Sequence, residues 1–398
     1  TGNQTVQVIA WTLLRTMFVD LTQQPTLLRW TLIWIFMRHL SASRAFVNGA
    51  LVGPTRVTWD EDGTITDVSE IRAQDAATDA LLVPGFIDLQ VNGIDDVNVA
   101  SADDLQWRCL NQLLLKSGVT SWCPTLVSAS RDSLTMSLAS IHSRMEQQRT
   151  EHSIVASSIL GAHMEGPFLG AALGAHDRRN VVEVDLHWIA QLPACVALMT
   201  VGPEQELGVA AVRLLRQQGI AVSLGHTRAT EQQFLDAKEA GAQMVTHLFN
   251  AMSGVHHREH GVALTALTDD EIFASIIVDL EHVSRRAVQL AFRAKPQRMV
   301  LVTDSVRANT ILAPRLNDGT LAGSVLSMDQ ALRNTVVNCS VPLSVALMSA
   351  THNPAEVLGL RDRGDISIGK RADLVLLTHD LSVLHTVSRG LFYDRTND

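Results

Sequence analysis

The 398-residue chain has only four cysteines, Cys109, Cys123, Cys195 and Cys339, and no two stand at Cys-x-x-Cys spacing. That spacing excludes a thiolate zinc knot and a disulfide framework, and it suits reduced core thiols in a cytoplasmic protein. Positive charge is also short, with 32 Lys and Arg against 41 Asp and Glu and a formal net charge of −9. A net-acidic protein has no general attraction for nucleic acid, so any anionic substrate must be held by a local cluster of donors. No apolar run reaches the roughly 20 residues needed to cross a bilayer. The nearest, Leu27–Met37, is broken by Arg29 and follows Asp20, Gln23 and Gln24 rather than a basic region. Neither a membrane span nor a signal peptide is therefore expected. Residues 1–43 stand apart from the rest as an N-terminal extension.

What is present begins at Arg44. Phe46–Val52, Arg56–Trp59 and Thr64–Val68 are short alternating runs, and Asp62-Gly63 is a tight turn signal between two of them. A matching set closes the chain: Gly364–Gly369, Ala372–Leu377 and Val383–Val387. Residues 44–83 and 364–398 are expected to build one small β-domain, a β-sandwich made from both chain ends, around a central domain of residues 84–363. In that centre, strand-like runs occupy Leu81–Gln90, Gly118–Val127, Ile154–His163, Cys195–Val201, Ile220–His226, Gln243–Phe249, Phe273–Leu280 and Met299–Asp304. Helix signals lie between them. Ser101 and Asp104 read as a capping box with Gly118 beyond, Thr230 and Gln233 as another with Gly241 beyond, and Ser284 opens a run that stops before Pro296. Eight such units imply an α/β fold, the (β/α)8 barrel.

In that barrel the residues that carry chemistry fall at or just past strand ends, where barrel enzymes place their sites. Glu165 follows a buried run in the stretch Gly161–Phe168, which reads Gly-Ala-His-Met-Glu-Gly-Pro-Phe. His226 and His247 end the runs at Ala221 and Gln243. A lone carboxylate at a turn can be merely structural, but one carboxylate with two imidazoles makes a metal site. Gln90, His282 and Asp304 occupy the ends of three further strands.

The stretches Pro84–Gly93, Gly161–Phe168, Gly225–Thr227, Thr246–Met252, Val302–Asp304 and Gly319–Ser324 occur in order from Arg44 onward. Together they resemble the N-acetylglucosamine-6-phosphate deacetylase family of the amidohydrolase superfamily; residues 1–43 lie outside the resemblance. It implies metal-dependent hydrolysis of the N-acetyl group of N-acetylglucosamine 6-phosphate to glucosamine 6-phosphate and acetate, in amino-sugar catabolism and cell-wall recycling. Glu165, His226 and His247 match the family's ligands for one divalent ion, zinc by their chemistry. Asp304 matches its general base and acid, and His176 a histidine that polarises the amide carbonyl. Where the family often carries a longer loop with a lysine, Leu169–Leu173 is short and apolar. Asn250, the backbone amide of Ala251, Arg258 and His282 match residues that hold the 6-phosphate, and Gln90 is placed with the substrate-binding residues. Arg258 is expected to reach the neighbouring protomer's phosphate, which makes the enzyme a homodimer or higher homo-oligomer; the histidines around it read as a solvated loop.

Three other readings compete. A deacetylase for the galactosamine epimer differs by one hydroxyl orientation. A binuclear amidohydrolase, or one acting on a cyclic amide, usually shows His-x-His after the first strand, where this chain has Gln90-Val-Asn92. A catalytically silent barrel scaffold would not need Glu165, His226, His247 and Asp304 intact.

Overall fold

In the computed structural model, which describes residues 38–76, 79–151, 154–308, 310 and 312–393, eight parallel strands run round a barrel. They are β1 (Phe86–Val91), β2 (Val119–Val127), β3 (Ala162–Glu165), β4 (Val196–Val201), β5 (Ala221–Leu224), β6 (Met244–Val245), β7 (Phe273–Ile276) and β8 (Met299–Leu301). Each pairs in parallel with the next, from β1 to β8. Parallel strands covered on both faces need apolar side chains on both. Accordingly β1, β3, β5 and β7 are buried at every position. The expected barrel is the one observed.

The ring closes through the main chain at its upper rim, and just below it Asp88 of β1 accepts from the Thr303 hydroxyl at 2.6 Å. At the rim, Val91 bridges Ser305, the Asp304 amide donates to the Gln90 carbonyl at 2.9 Å, and the Asn92 amide donates to the Ser305 carbonyl at 2.8 Å. Closure thus falls on residues that the sequence marks for chemistry.

Two further sheets flank the barrel. One has three strands, His39–Ala42, Thr55–Trp59 and Ile65–Glu70; the other has six and joins Arg44–Val47, Ala50–Val52 and Leu81–Pro84 to Leu374–Leu377, Val383–Ser388 and Leu391–Tyr393. Leu40, Val57, Trp59, Ile65, Leu82, Leu374, Leu376 and Val387 fill a core between them. Both chain ends therefore contribute strands to one sheet.

The structure corrects several boundaries. Residues 39–42, placed with the extension, form a strand of the three-stranded sheet; residues 1–37, with the run Leu27–Met37, lie outside the described residues. Gly364–Gly369 is not a strand, although Ile366 is buried in the β-domain core. The first capping box uses Asp103 and Gln106 rather than Ser101 and Asp104, because Ser101 still belongs to a preceding 3-10 turn. The Thr230–Gln233 box forms as expected, and Ser284 caps helix Arg285–Ala294. All four cysteines are free, three of them buried. Among the described residues, no helix is long and apolar enough to cross a membrane.

The expected first strand, Leu81–Gln90, divides at Gly85 between the flanking sheet and the barrel. A Cβ added there would sit 2.5 Å from Thr120 Cγ2 and 2.8 Å from Thr120 Cβ. Gly85→Ala should therefore destabilise the protein by about 1–3 kcal/mol through overpacking, measured by urea unfolding; an unchanged midpoint would show that the two layers can separate freely at this joint.

Candidate active site

Glu165 is the last residue of β3 and is buried. Its Oε1 lies 3.2 Å from His226 Nε2, 3.0 Å from His247 Nε2 and 2.9 Å from Gln90 Nε2. The two imidazole Nε2 atoms are themselves 3.0 Å apart. His176 reaches the second oxygen, with Nε2 3.7 Å from Oε2, and its ring centroid lies 4.3 Å from that of His226. Burial alone would raise the Glu165 carboxyl, but hydrogen bonds from His176, His226 and His247 hold it well below the ordinary carboxylate range.

The backbone turns these side chains inward. His226, His247 and Asp304 all follow strands and adopt left-handed conformations, with φ of 49°, 31° and 49°. L-residues rarely take that region, and it recurs at functional sites where the surrounding structure enforces it. Here the enforcing contacts are visible. The His247 amide donates to Ser275 Oγ at 2.8 Å, the Thr227 amide donates to the Ala251 carbonyl at 3.1 Å, and the Asp304 amide is fixed across the barrel closure.

The donors suit a metal ion. His226 Nδ1 lies 3.0 Å from the Leu173 carbonyl, which can only accept, so Nδ1 carries a proton, and Nε2, turned toward Glu165, is the ring nitrogen that could serve an ion. Glu165, His176 and His226 form a cluster that could hold an ion, with ligand atoms all within 4.8 Å of one another. His247 Nε2 stands within the same group of donors. The expected triad of Glu165, His226 and His247 is brought together, and His176 adjoins it closely enough to be a fourth candidate.

Asp304 faces this cluster. Its Oδ1 accepts from Gln90 Nε2 at 3.0 Å and from Asn92 Nδ2 at 2.8 Å. Burial, assisted by the negative charge of Glu165, pushes its pKa up to about 8. Gln90, expected at the substrate, instead spans the two carboxylates and is not among the residues lining the cleft. Its amide nitrogen is occupied by charge that would otherwise repel.

A cleft of about 590 Å³ opens above these groups. Asn250, Ala251 and His282 line it, as do His176, Asn92, Ser128 and Arg307. His282 Nδ1 lies 2.6 Å from Asp279 Oδ2, which fixes the ring. His176 Nδ1 lies 3.0 Å from Ser128 Oγ, so the shortened loop still delivers this imidazole to the site. Arg258 is the exception. It lies in an exposed loop, outside the cleft of its own chain; His256, His257 and His260 around it are exposed as expected.

Sequence reasoning missed the supports beneath and beside the site. His163 Nε2 lies 2.8 Å from Thr200 Oγ1, which lies 2.8 Å from Thr246 Oγ1, itself 2.5 Å from Ser223 Oγ. This polar line crosses the barrel under Glu165, and burial pushes the His163 pKa down to about 4. Glu204, after β4, accepts from the Ala171 and Arg228 amides at 2.9 and 2.8 Å and from the Thr227 hydroxyl. It joins the loop that carries the carbonyls on His226 to the turn that carries His226 itself. Only its position after a strand end, in Gly202-Pro203-Glu204, signalled it.

Residues 81–392 match the model of the amidohydrolase family. The chain is 33% identical over 361 residues to N-acetylglucosamine-6-phosphate deacetylase of Bacillus subtilis (strain 168), a match that covers 83% of this chain and 90% of the relative. It is 34% identical over 349 residues to N-acetylgalactosamine-6-phosphate deacetylase of Escherichia coli O157:H7, covering 81% and 90%. Among solved structures, a mutant N-acetyl-D-glucosamine-6-phosphate deacetylase from Mycobacterium smegmatis, in complex with N-acetyl-D-glucosamine-6-phosphate, superposes with a TM-score of 0.80. That pair is 29% identical, and the match covers 89% of this chain and 98% of that one.

Glu204→Leu should weaken binding of a divalent ion by about 10–100-fold, the range for groups that orient a ligating histidine. Chelator competition measures this directly, with the melting point of the metal-free protein as control; an unchanged dissociation constant would assign Glu204 to loop stability alone.

Proposed function

Since the chain belongs to the amidohydrolase family, we propose that it hydrolyses the acetamide of N-acetylglucosamine 6-phosphate to acetate and glucosamine 6-phosphate. The observation that carries this reading is a buried carboxylate shared by imidazoles and facing a second, protonatable carboxyl across the same cleft. Such a pair separates the tasks of holding an ion and moving a proton.

Glu165, His226 and His247 would hold one divalent ion per chain, zinc by the donor chemistry, which supplies Lewis acidity toward the carbonyl and lowers the pKa of water to about 7. A second ion lacks anchors, since Gln90 and Asn92 turn their amide nitrogens toward carboxylates rather than offering imidazoles. His176, steadied by Ser128, donates toward the carbonyl oxygen as negative charge grows there. Asp304 accepts a proton from the attacking water. The water oxygen bonds to the carbonyl carbon, the C–N bond breaks, and Asp304 returns the proton to the nitrogen, which leaves as an amine. Because Oδ1 is held by two N–H donors, Oδ2 is the atom that carries this proton.

The phosphate falls to Asn250, the Ala251 amide and His282 on the cleft wall. Arg258, exposed and outside its own cleft, suits delivery to the cleft of a neighbouring subunit in a homodimer. The galactosamine epimer is the second reading, favoured by the 34% identical relative that carries that name.

Amine release from both acetylated sugar phosphates, with and without chelator, tests the reading. We expect turnover of the glucosamine epimer that disappears on chelation and returns fully with about one equivalent of zinc per chain; a requirement for two ions would overturn the mononuclear site. Asp304→Asn should lower turnover by about 10²–10⁴-fold. Co-expressed with Arg258→Ala chains, it should recover roughly a quarter of wild-type activity in a two-fold dimer, because half the dimers are mixed and each has one intact site. No recovery in confirmed heterodimers would place Arg258 outside the neighbouring site.

A further inference from the structure

Asp88 and Thr303 are buried, two residues before Gln90 and one before Asp304, and the reaction as derived uses neither. They lie on the seam between β1 and β8. No ladder forms there: apart from the rim bridge of Val91 to Ser305, β1 pairs only with β2 and β8 only with β7. The Asp88 carboxyl stands in for the missing rungs. Its Oδ1 accepts from the Gln90 amide at 3.2 Å and from the Thr303 amide at 3.3 Å, and its Oδ2 accepts from the Thr303 hydroxyl at 2.6 Å. Burial pushes the Asp88 pKa up to about 7, and these three donors work against that rise.

A hydroxyl has one proton and two lone pairs. Four groups surround that of Thr303: Asp88 Oδ2, the Gln90 carbonyl at 3.3 Å, Ser305 Oγ at 3.2 Å and the Ser305 amide at 3.3 Å. The carboxylate is the nearest and strongest acceptor, so it takes the proton and leaves a lone pair for the Ser305 amide. This last bond, from the Ser305 main chain to the Thr303 side chain, closes a turn whose middle residue is Asp304, at φ 49°. Such a backbone persists only where its surroundings enforce it. We propose that Asp88 is a positioning residue for proton transfer: by orienting the Thr303 hydroxyl it closes the turn that aims the Asp304 carboxyl at the cleft. This rests on the deacetylase reading, in which Asp304 moves the proton, and adds the device that keeps it in line. Gln90 and Asn92 hold Oδ1 of Asp304, but the turn sets where that side chain starts. Aim matters twice here, since Asp304 takes a proton from water and then gives it to nitrogen.

The test compares Thr303→Val, which keeps the shape without the hydroxyl, Thr303→Ser, which keeps the hydroxyl, Asp88→Asn, and a double variant combining Asp88→Asn with Thr303→Val. Each is loaded with zinc and assayed at about pH 9, above the pKa values of Asp88 and Asp304. Metal content, melting point and affinity for glucosamine 6-phosphate are measured alongside. Thr303→Val should lower kcat by about 10–100-fold, with KM and glucosamine 6-phosphate affinity within about 2-fold, as lost alignment without lost binding gives. Thr303→Ser should recover most of that loss. In Asp88→Asn the oxygen stays on the two amides, so an N–H meets the Thr303 hydroxyl and sends its proton elsewhere; kcat should fall by a similar factor. Added to Thr303→Val, it should cost less than about 3-fold more, because both break one link. If Asp88→Asn does not fold, the valine and serine variants decide alone. Equal kcat in those two, losses that multiply in full, or losses that track metal content or melting point overturn the proposal. A wild-type enzyme that releases no amine sinks the deacetylase reading and the proposal together, whereas wild-type turnover with any of those three results sinks the proposal alone.

Discussion

A buried carboxylate sets the terms for the rest of this structure. Glu165 has lost its water and keeps its charge only because imidazoles and an amide nitrogen surround it. An ion buried without such partners would be protonated or would unfold its surroundings. Every demand made on the loops follows from this: β5 and β6 must end in histidines that turn inward, the Leu169–Leu173 segment must lend carbonyls to His226, and Glu204 must pin that segment down. The polar line from His163 to Ser223 continues the same logic below, where an entirely apolar floor would leave the hydroxyls of Thr200 and Thr246 unpaired.

The second carboxylate is handled by different means. The pKa of Asp304 is raised by burial first and by the nearby charge of Glu165 second, and His247 offsets only part of this. Gln90 stands between the two, offering one N–H to each. The barrel closes at the same level through the main chains of Gln90, Asn92, Asp304 and Ser305. Closure of the fold and spacing of the carboxyl groups are therefore one arrangement.

How much of this was legible in the sequence depends on the kind of contact involved. The eight apolar runs announced the barrel, because burial on two faces leaves a composition that cannot be hidden. Glu165, His226, His247 and Asp304 were legible because each ends a strand and so points to one rim. Glu204 and Ser128 were not, because their importance comes from partners distant in the chain: Glu204 meets Thr227, and Ser128 meets His176. Gln90 was placed on the rim, but its place between two carboxylates was not legible, since strand position fixes where a side chain starts and not which groups it will touch. Capping was legible to within two residues, with Asp103 taking the place of Ser101. The alternation of Gly364–Gly369 suggested a strand, yet only Ile366 was needed by the core.

The left-handed turns at His226, His247 and Asp304 bear on how such a protein would age if selection on its chemistry relaxed. Asparagine and aspartate tolerate that conformation better than most residues, whereas branched side chains do not. Drift at these three positions would therefore be channelled toward asparagine, which preserves the backbone while abolishing imidazole or carboxylate. A descendant that had lost its activity would keep an undistorted barrel, and its history would be written as asparagines at the ends of the fifth, sixth and eighth strands.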